Sequence, residues 1–151
     1  MIELYSNFLT DAESNELIEY YNVNFERVFY EQNKVYTFKG IDIVNYENLQ
    51  IYNKVDLRGS STLRVQLISE DVQPVDYFHK HSDPWTFLIF LNDDYEGGEL
   101  EIENFVVKPK KNQLLVFSGS LGHRVKPVTK GNRYTFVAIT DTKVKIHSNL
   151  I

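Results

Sequence analysis

Four histidines, at positions 79, 81, 123 and 147, are the whole imidazole supply of this 151-residue chain, and it has no cysteine. Any metal held by its side chains therefore takes nitrogen from His and oxygen from Asp or Glu. His81-Ser82-Asp83 sets an imidazole and a carboxylate at i and i+2. On extended backbone those two point to the same side and can chelate one ion. His123 follows the apolar run Asn112 to Phe117 and a Ser-Gly-Ser-Leu-Gly turn, so it can supply a third ligand from another strand. Two nitrogens and a carboxylate oxygen on one face leave the opposite face open. That suits non-haem iron(II), which can then accept a bidentate 2-oxo acid and dioxygen. Arg133 opens the run RYTFVAIT and can make a paired, charge-assisted contact with a carboxylate lying beside the metal. Each residue also has a plain structural reading: His81 and Asp83 as a surface pair, His123 as a hydrogen-bonded, half-buried ring, Arg133 as a solvated strand-end charge.

The elements that must position these residues are mostly strands. A short strand is expected at Ile2 to Tyr5. A helix of roughly three turns follows from about Asp11 to Tyr21, with Thr10 as cap, Glu13 as its capping-box partner and Leu17, Ile18 and Tyr21 as the apolar face. Everything after it reads as strand, in the runs FERVFY, KVYTF, LRVQLI, WTFLIFLN, ELEIENFVV, NQLLVF, HRVKPV and RYTFVAIT. Turn-forming residues separate them at Asn92-Asp93-Asp94 with Gly97-Gly98, Pro109-Lys110-Lys111-Asn112, Ser118-Gly119-Ser120 and Lys130-Gly131-Asn132. About eight short strands with one early helix predict a mainly β sandwich or jelly-roll barrel in a single domain over residues 1–151.

Composition narrows the function classes. A net charge of −5 offers no broad positive field for nucleic acid or anionic membranes, so neither is an expected partner. The absence of cysteine excludes disulfides, thiolate zinc sites, iron–sulfur clusters and cysteine nucleophiles. No long apolar run and no basic leader pattern is present, and the expectation is a soluble, cytoplasmic protein.

The stretch from Phe78 to Thr140 resembles the prolyl 4-hydroxylase branch of the 2-oxoglutarate- and iron(II)-dependent dioxygenases. It carries, in order, the His81-x-Asp83 pair, the Thr86 to Asn92 strand, Gly97-Gly98-Glu99 and the Pro109 to Asn112 turn before Leu114-Leu115-Val116-Phe117. His123 with Pro127-Val128, Gly131 and Arg133 completes the series. The resemblance implies a double-stranded β-helix, a cupin-like barrel with one N-terminal helix. It implies iron on His81, Asp83 and His123, the distal carboxylate of 2-oxoglutarate on Arg133, and Thr86 lining the co-substrate pocket. The implied reaction couples hydroxylation of a peptide, protein or small-molecule substrate, with peptidyl proline foremost, to conversion of 2-oxoglutarate and O2 into succinate and CO2. Ascorbate is a further implied cofactor. Phe90 stands where many members carry a tyrosine that bonds the co-substrate, and Phe78 where a tyrosine is also common; Tyr77 or Thr135 would compensate.

Two rivals come from other classes. A cupin-type site would pair His79 with His81, but Ser82-Asp83-Pro84-Trp85-Thr86 brings no glutamate soon after. A catalytically inactive barrel that only binds a ligand would typically have lost the acidic ligand, and Asp83 is present. Lys108, Lys110 and Lys111 around Pro109 read as a solvated turn, and Asp93, Asp94 and Glu96 as a solvated hairpin without calcium-loop spacing.

Overall fold

The computed structural model describes residues 2–29, 39–72, 78, 80, 85–143 and 146. Its first strand, β1 (Ile2–Tyr5), leads into the helix α1 (Asp11–Phe29). The capping box forms as expected: Glu13 N–H donates to Thr10 Oγ1 at 3.2 Å and Thr10 N–H to Glu13 Oε1 at 2.8 Å. Such a box satisfies two orphan donors and typically contributes about 1 kcal/mol. Leu17 and Tyr21 are buried by the resulting face.

The helix is longer than expected, because residues 25–29 of the run FERVFY continue it instead of forming a strand. No Gly or Pro lies between Tyr21 and Phe29 to stop it, and an existing helix extends more cheaply than a new strand pairs. The run KVYTF lies outside the described residues. Not everything after α1 is strand either: Tyr46–Asn48 and Gln50–Asn53 form 3₁₀ turns, anchored by Tyr46 Oη donating to the Val55 carbonyl at 2.8 Å.

The remaining strands are β2 (Lys39–Asp42), β3 (Thr62–Ser69), β4 (Trp85–Phe90), β5 (Glu96–Gly97), β6 (Leu100–Ile102), β7 (Phe105–Val107), β8 (Leu114–Ser118), β9 (His123–Val125), β10 (Val128–Lys130) and β11 (Asn132–Thr140). Two of the expected runs each supply two strands, since ELEIENFVV folds back on itself as a hairpin and HRVKPV divides before Val128, while FERVFY supplies none and β2 and β5 lie outside the expected runs. Six strands form one antiparallel sheet in the order β1-β8-β4-β11-β3-β2. A three-stranded sheet, β7-β6-β9, and the pair β10-β5 make up the rest of the β structure among the described residues.

Alternation along the large sheet sorts its side chains into two cores. Phe87, Ile89, Phe136, Ala138, Leu114, Val116 and Val65 pack on one face with Leu17, Tyr21, Tyr46 and Ile51. Leu88, Phe90, Leu115, Phe117 and Val137 point the other way, onto Leu100 and Ile102 of the small sheet. Asn112, expected as a turn residue, locks the helix to this frame. At φ +69° its carbonyl accepts Phe8 N–H at 2.8 Å, and its side-chain amide donates to Asp11 Oδ1 at 2.8 Å.

Candidate active site

The interior between the large and small sheets holds buried polar residues in an apolar lining. Thr86, Leu88 and Phe90 of β4 face it, as do Arg133, Thr135 and Val137 of β11, since the register pairs Thr135 with Phe90, Val137 with Leu88 and Ile139 with Thr86. Thr86, Thr135 and Arg133 are all buried, Arg133 to 1% exposure. Arg133 is therefore no solvated strand-end charge.

Its guanidinium crosses from the large sheet to the other side of the barrel. Nε donates to the Gly98 carbonyl at 2.9 Å, and Cζ lies 5.5 Å from the centroid of the Phe90 ring. The Gly97-Gly98 turn makes this crossing possible. At φ +80° and +71° both glycines occupy left-handed backbone. A Cβ on Gly98 would sit 2.8 Å from Arg133 Cδ, and one on Gly97 2.2 Å from the Pro127 carbonyl oxygen. Burial pulls the pKa of Arg133 down, opposed by the neighbouring Tyr95 hydroxyl, and burial pushes Tyr95 up. Among the described residues no carboxylate pairs with Arg133, and its Nη2 has no hydrogen-bond partner. Thr135 Oγ1 is likewise buried without a partner. A desolvated, unneutralised guanidinium is costly, so a cradle of this kind calls for an anion from outside the chain.

His123 enters the same interior from β9, opposite Ile102 of β6, and is 4% exposed. Its Nδ1 lies 2.8 Å from the Leu121 carbonyl, which can only accept, so Nδ1 carries a proton and, in the neutral ring, Nε2 carries the lone pair. The edge-on ring of Phe117, 5.2 Å between centroids, fixes its plane. An imidazole oriented through its other nitrogen is the usual preparation for a metal ligand. His81, Asp83 and Tyr77 lie outside the described residues, as do His79 and His147. Thr86 and Thr135 belong to the inner face of the sheet that carries Arg133.

Arg124 follows His123 on β9, whereas Trp85 turns away from the interior. Trp85 packs with the helix-side core and beneath Lys143, because residue 85 alternates to the face opposite Thr86. Sequence reasoning missed Glu101, which pairs with Arg124 at 3.2 Å, and the Gly98 carbonyl as the anchor of Arg133. Both depend on cross-strand register, for which no local signal exists. No described helix is long and apolar enough to cross a membrane.

Residues 72–140 match the sequence profile of the 2OG-Fe(II) oxygenase superfamily. A PKHD-type hydroxylase of Gloeothece citriformis is 42% identical over 66 residues, which are 40% of this chain and 30% of that one. One of Delftia acidovorans is 43% identical over 58 residues, 35% of this chain and 26% of the relative. The matched segment thus spans less than a third of these curated relatives. Among solved structures, the viral collagen prolyl hydroxylase of Paramecium Bursaria Chlorella virus-1 aligns over 92% of this chain and 96% of its own, with TM-score 0.60 and 16% identity. A Trichoplax adhaerens prolyl hydroxylase, solved with a hypoxia inducible factor oxygen degradation domain peptide fragment, aligns over 93% and 83%, with TM-score 0.61 and 18% identity. The fold they share with this chain is the double-stranded β-helix. The superfamily works with Fe(II), 2-oxoglutarate and O2, and the anion cradle at Arg133 and the tautomer of His123 fit that set. That profile match covers somewhat less than half of the chain, in the segment that carries His123 and Arg133.

Proposed function

We propose that the chain is an Fe(II)- and 2-oxoglutarate-dependent hydroxylase in one domain, with His81, Asp83 and His123 as the iron ligands and Arg133 as the receptor for the distal carboxylate of 2-oxoglutarate. The observation that carries this reading is the buried Arg133 side chain, whose Nη2 has no partner and which no described carboxylate neutralises. A dicarboxylate reaching from a metal supplies the missing anion, and Arg gives it a planar, charge-assisted fork. Thr135 Oγ1 is the second group with unused hydrogen-bonding capacity on that wall.

When bound, iron with 2-oxoglutarate and O2 supplies the oxidising chemistry, and the protein supplies geometry, charge and dryness. His123 holds its proton on Nδ1 and presents Nε2 as a donor atom. Leu88, Phe90, Leu100, Ile102, Leu115, Phe117 and Val137 exclude water, which strengthens the contact between Arg133 and a carboxylate. Phe90 holds the guanidinium through its ring face, where a tyrosine would use a hydroxyl. We assign a prolyl residue in a peptide as substrate, on the ground that two solved proteins sharing this fold are prolyl hydroxylases; a small molecule is the alternative class. Ascorbate as reductant and a cytoplasmic setting belong to the same proposal.

The test is an anaerobic titration of the apo-protein with Fe(II) and then 2-oxoglutarate, following the weak visible band of a 2-oxo acid chelated to iron. The band is expected in the wild type, absent in Asp83→Ala, and shifted to far higher 2-oxoglutarate in Arg133→Ala. Iron binding without the band overturns the oxygenase reading and favours a cupin-like metal site. No iron binding leaves a purely ligand-binding barrel.

A further inference from the structure

Arg133 Nη2 and Thr135 Oγ1 share their condition with one more atom, the hydroxyl of Tyr95, which is also buried without a hydrogen-bond partner among the described residues. Arg133 and Thr135 both come from β11, whereas Tyr95 stands in the connection between β4 and β5. Close packing fixes its place. A Cβ on Gly98 would lie 3.0 Å from Tyr95 Cε2 and 2.8 Å from Arg133 Cδ, so the phenol ring and the arginine stem meet over that glycine. A Cβ on Gly131 would lie 3.0 Å from Tyr95 Cβ, so the turn between β10 and β11 closes on residue 95 from another side. The ring is held between two backbone turns, with its hydroxyl at the buried end.

The hydroxyl lies near enough to the guanidinium for each group to shift the other's pKa, although burial is the larger effect on both. No hydrogen bond of normal geometry joins them. Burial drives the Tyr95 pKa upward, so the phenol keeps its proton near neutrality and is a donor beside a second donor. The acidic residues nearest in sequence do not complete the set. Asp93 Oδ2 accepts from Lys111 N–H at 3.0 Å and Asp94 Oδ1 from Asn92 Nδ2 at 2.7 Å, both at the surface. Two donors side by side in a buried, positively charged corner have a carboxylate as their complement, since its two oxygens can take one donor each. Leaving the hydroxyl unbonded is costly, and a ligand that bonds it recovers that cost on binding.

We propose that the Tyr95 hydroxyl is a second donor to the distal carboxylate of 2-oxoglutarate, and that it helps the site select a dicarboxylate over a 2-oxo acid without the distal charge. The proposal rests on the ligand set given under Proposed function. Tyr95 then supplies from a connecting segment the hydroxyl that β4 lacks, where Phe90 offers the guanidinium only a ring face.

The experiment is an anaerobic titration of the Fe(II)-loaded protein with two ligands, 2-oxoglutarate and 2-oxobutyrate, the second having the same chelating end and no distal carboxylate. Tyr95→Phe keeps the ring and removes only the hydroxyl, so without ligand it should melt at or above the wild-type temperature. It should need about ten- to hundredfold more 2-oxoglutarate to develop the iron-bound band, the effect of one hydrogen bond to a charged group, and bind 2-oxobutyrate like the wild type. In an Arg133→Met background, where the carboxylate is no longer anchored, the same change should cost less than about threefold. An unchanged 2-oxoglutarate titration in Tyr95→Phe overturns the proposal and leaves the oxygenase reading intact. Equal losses for both ligands overturn it too, by assigning Tyr95 to packing of the site. A wild type that gives no band with either ligand fails at the oxygenase reading itself and removes the proposal with it.

Discussion

The guanidinium carbon of Arg124 lies 4.6 Å from the centroid of the Phe78 ring, while its Nε reaches Glu101 Oε1 at 3.2 Å. Glu101 and Arg124 face each other across β6 and β9, so one cation joins the strand bearing His123 to the residue three before His81. Under the proposed ligand set, that contact holds two ligand-bearing segments at a fixed distance. Cation–π contacts are worth about 0.5–2 kcal/mol, which converts to a loss of about two- to thirtyfold in Fe(II) affinity for Arg124→Gln. Phe78→Tyr keeps the ring face and should bind iron like the wild type, whereas Phe78→Leu should resemble Arg124→Gln. Anaerobic Fe(II) titration reads this directly; equal affinity in Arg124→Gln would show that the stack does not position the site.

Arg133 offers a stability test that needs no turnover. The apo-protein carries a buried guanidinium with an unused Nη2, so replacing it by an apolar side chain of similar length relieves a desolvated charge. Arg133→Met is expected to melt about 2–6 °C above the apo wild type, the equivalent of about 1–2 kcal/mol, even though the Gly98 carbonyl loses its donor. Adding 2-oxoglutarate should reverse the order. At about a hundred times its Kd it stabilises the wild type by about 2.7 kcal/mol and leaves Arg133→Met unmoved. A ligand-induced shift of equal size in both proteins would place the carboxylate elsewhere.

Thr135 separates co-substrate recognition from packing. Its hydroxyl is buried without a partner in the apo-protein, so Thr135→Val removes an unsatisfied group and should leave the apo melting temperature unchanged or higher. If Oγ1 bonds 2-oxoglutarate, as compensation for the missing tyrosine hydroxyl at Phe90, the variant should need about three- to tenfold more of it to develop the iron-bound band. An unchanged titration would mean that Arg133 suffices.

The β architecture was legible because alternation is a local signal. The Thr86 to Asn92 run and the Arg133 to Thr140 run each read as strands, and each became one, with odd and even residues sorted to opposite cores. Arg133 and His123 were legible as candidates for a different reason: both are polar residues set beside apolar runs with turns at defined spacing, and both are buried toward the interior. The extension of α1 through Phe29 was not, since aromatic and β-branched residues carry the same local preference whether an existing helix runs on or a strand begins. Nor was the Glu101–Arg124–Phe78 contact, because Glu101 meets Arg124 only through a register set by the whole small sheet. The face taken by Trp85 was not legible either, because which side of a strand looks into the barrel is decided by the partners across the sheet.

The helix cap sets the acid limit of the fold. Burial raises the pKa of Glu13, but hydrogen bonds from Lys54 at 2.5 Å and from the Thr10 amide at 2.8 Å outweigh it, and the net shift is downward. A carboxylate with a lower pKa folded than unfolded contributes stability that is fully present above its unfolded value of about 4.3 and is lost as pH falls through its folded value. Asp11, lowered by its bond from Asn112, and Glu3, lowered by Lys143, add to the same trend. Melting temperature should therefore hold between pH 5 and 7 and fall steeply below pH about 4.3. Glu13→Gln isolates the largest buried contributor. It leaves Lys54, 18% exposed over the Phe8 ring, without its counter-charge, at a cost of about 1–3 kcal/mol near neutrality. That difference from the wild type should shrink toward zero as both are melted at successively lower pH. A gap that stays constant down to pH 3 would assign the loss to packing of the cap and not to the charge on Glu13.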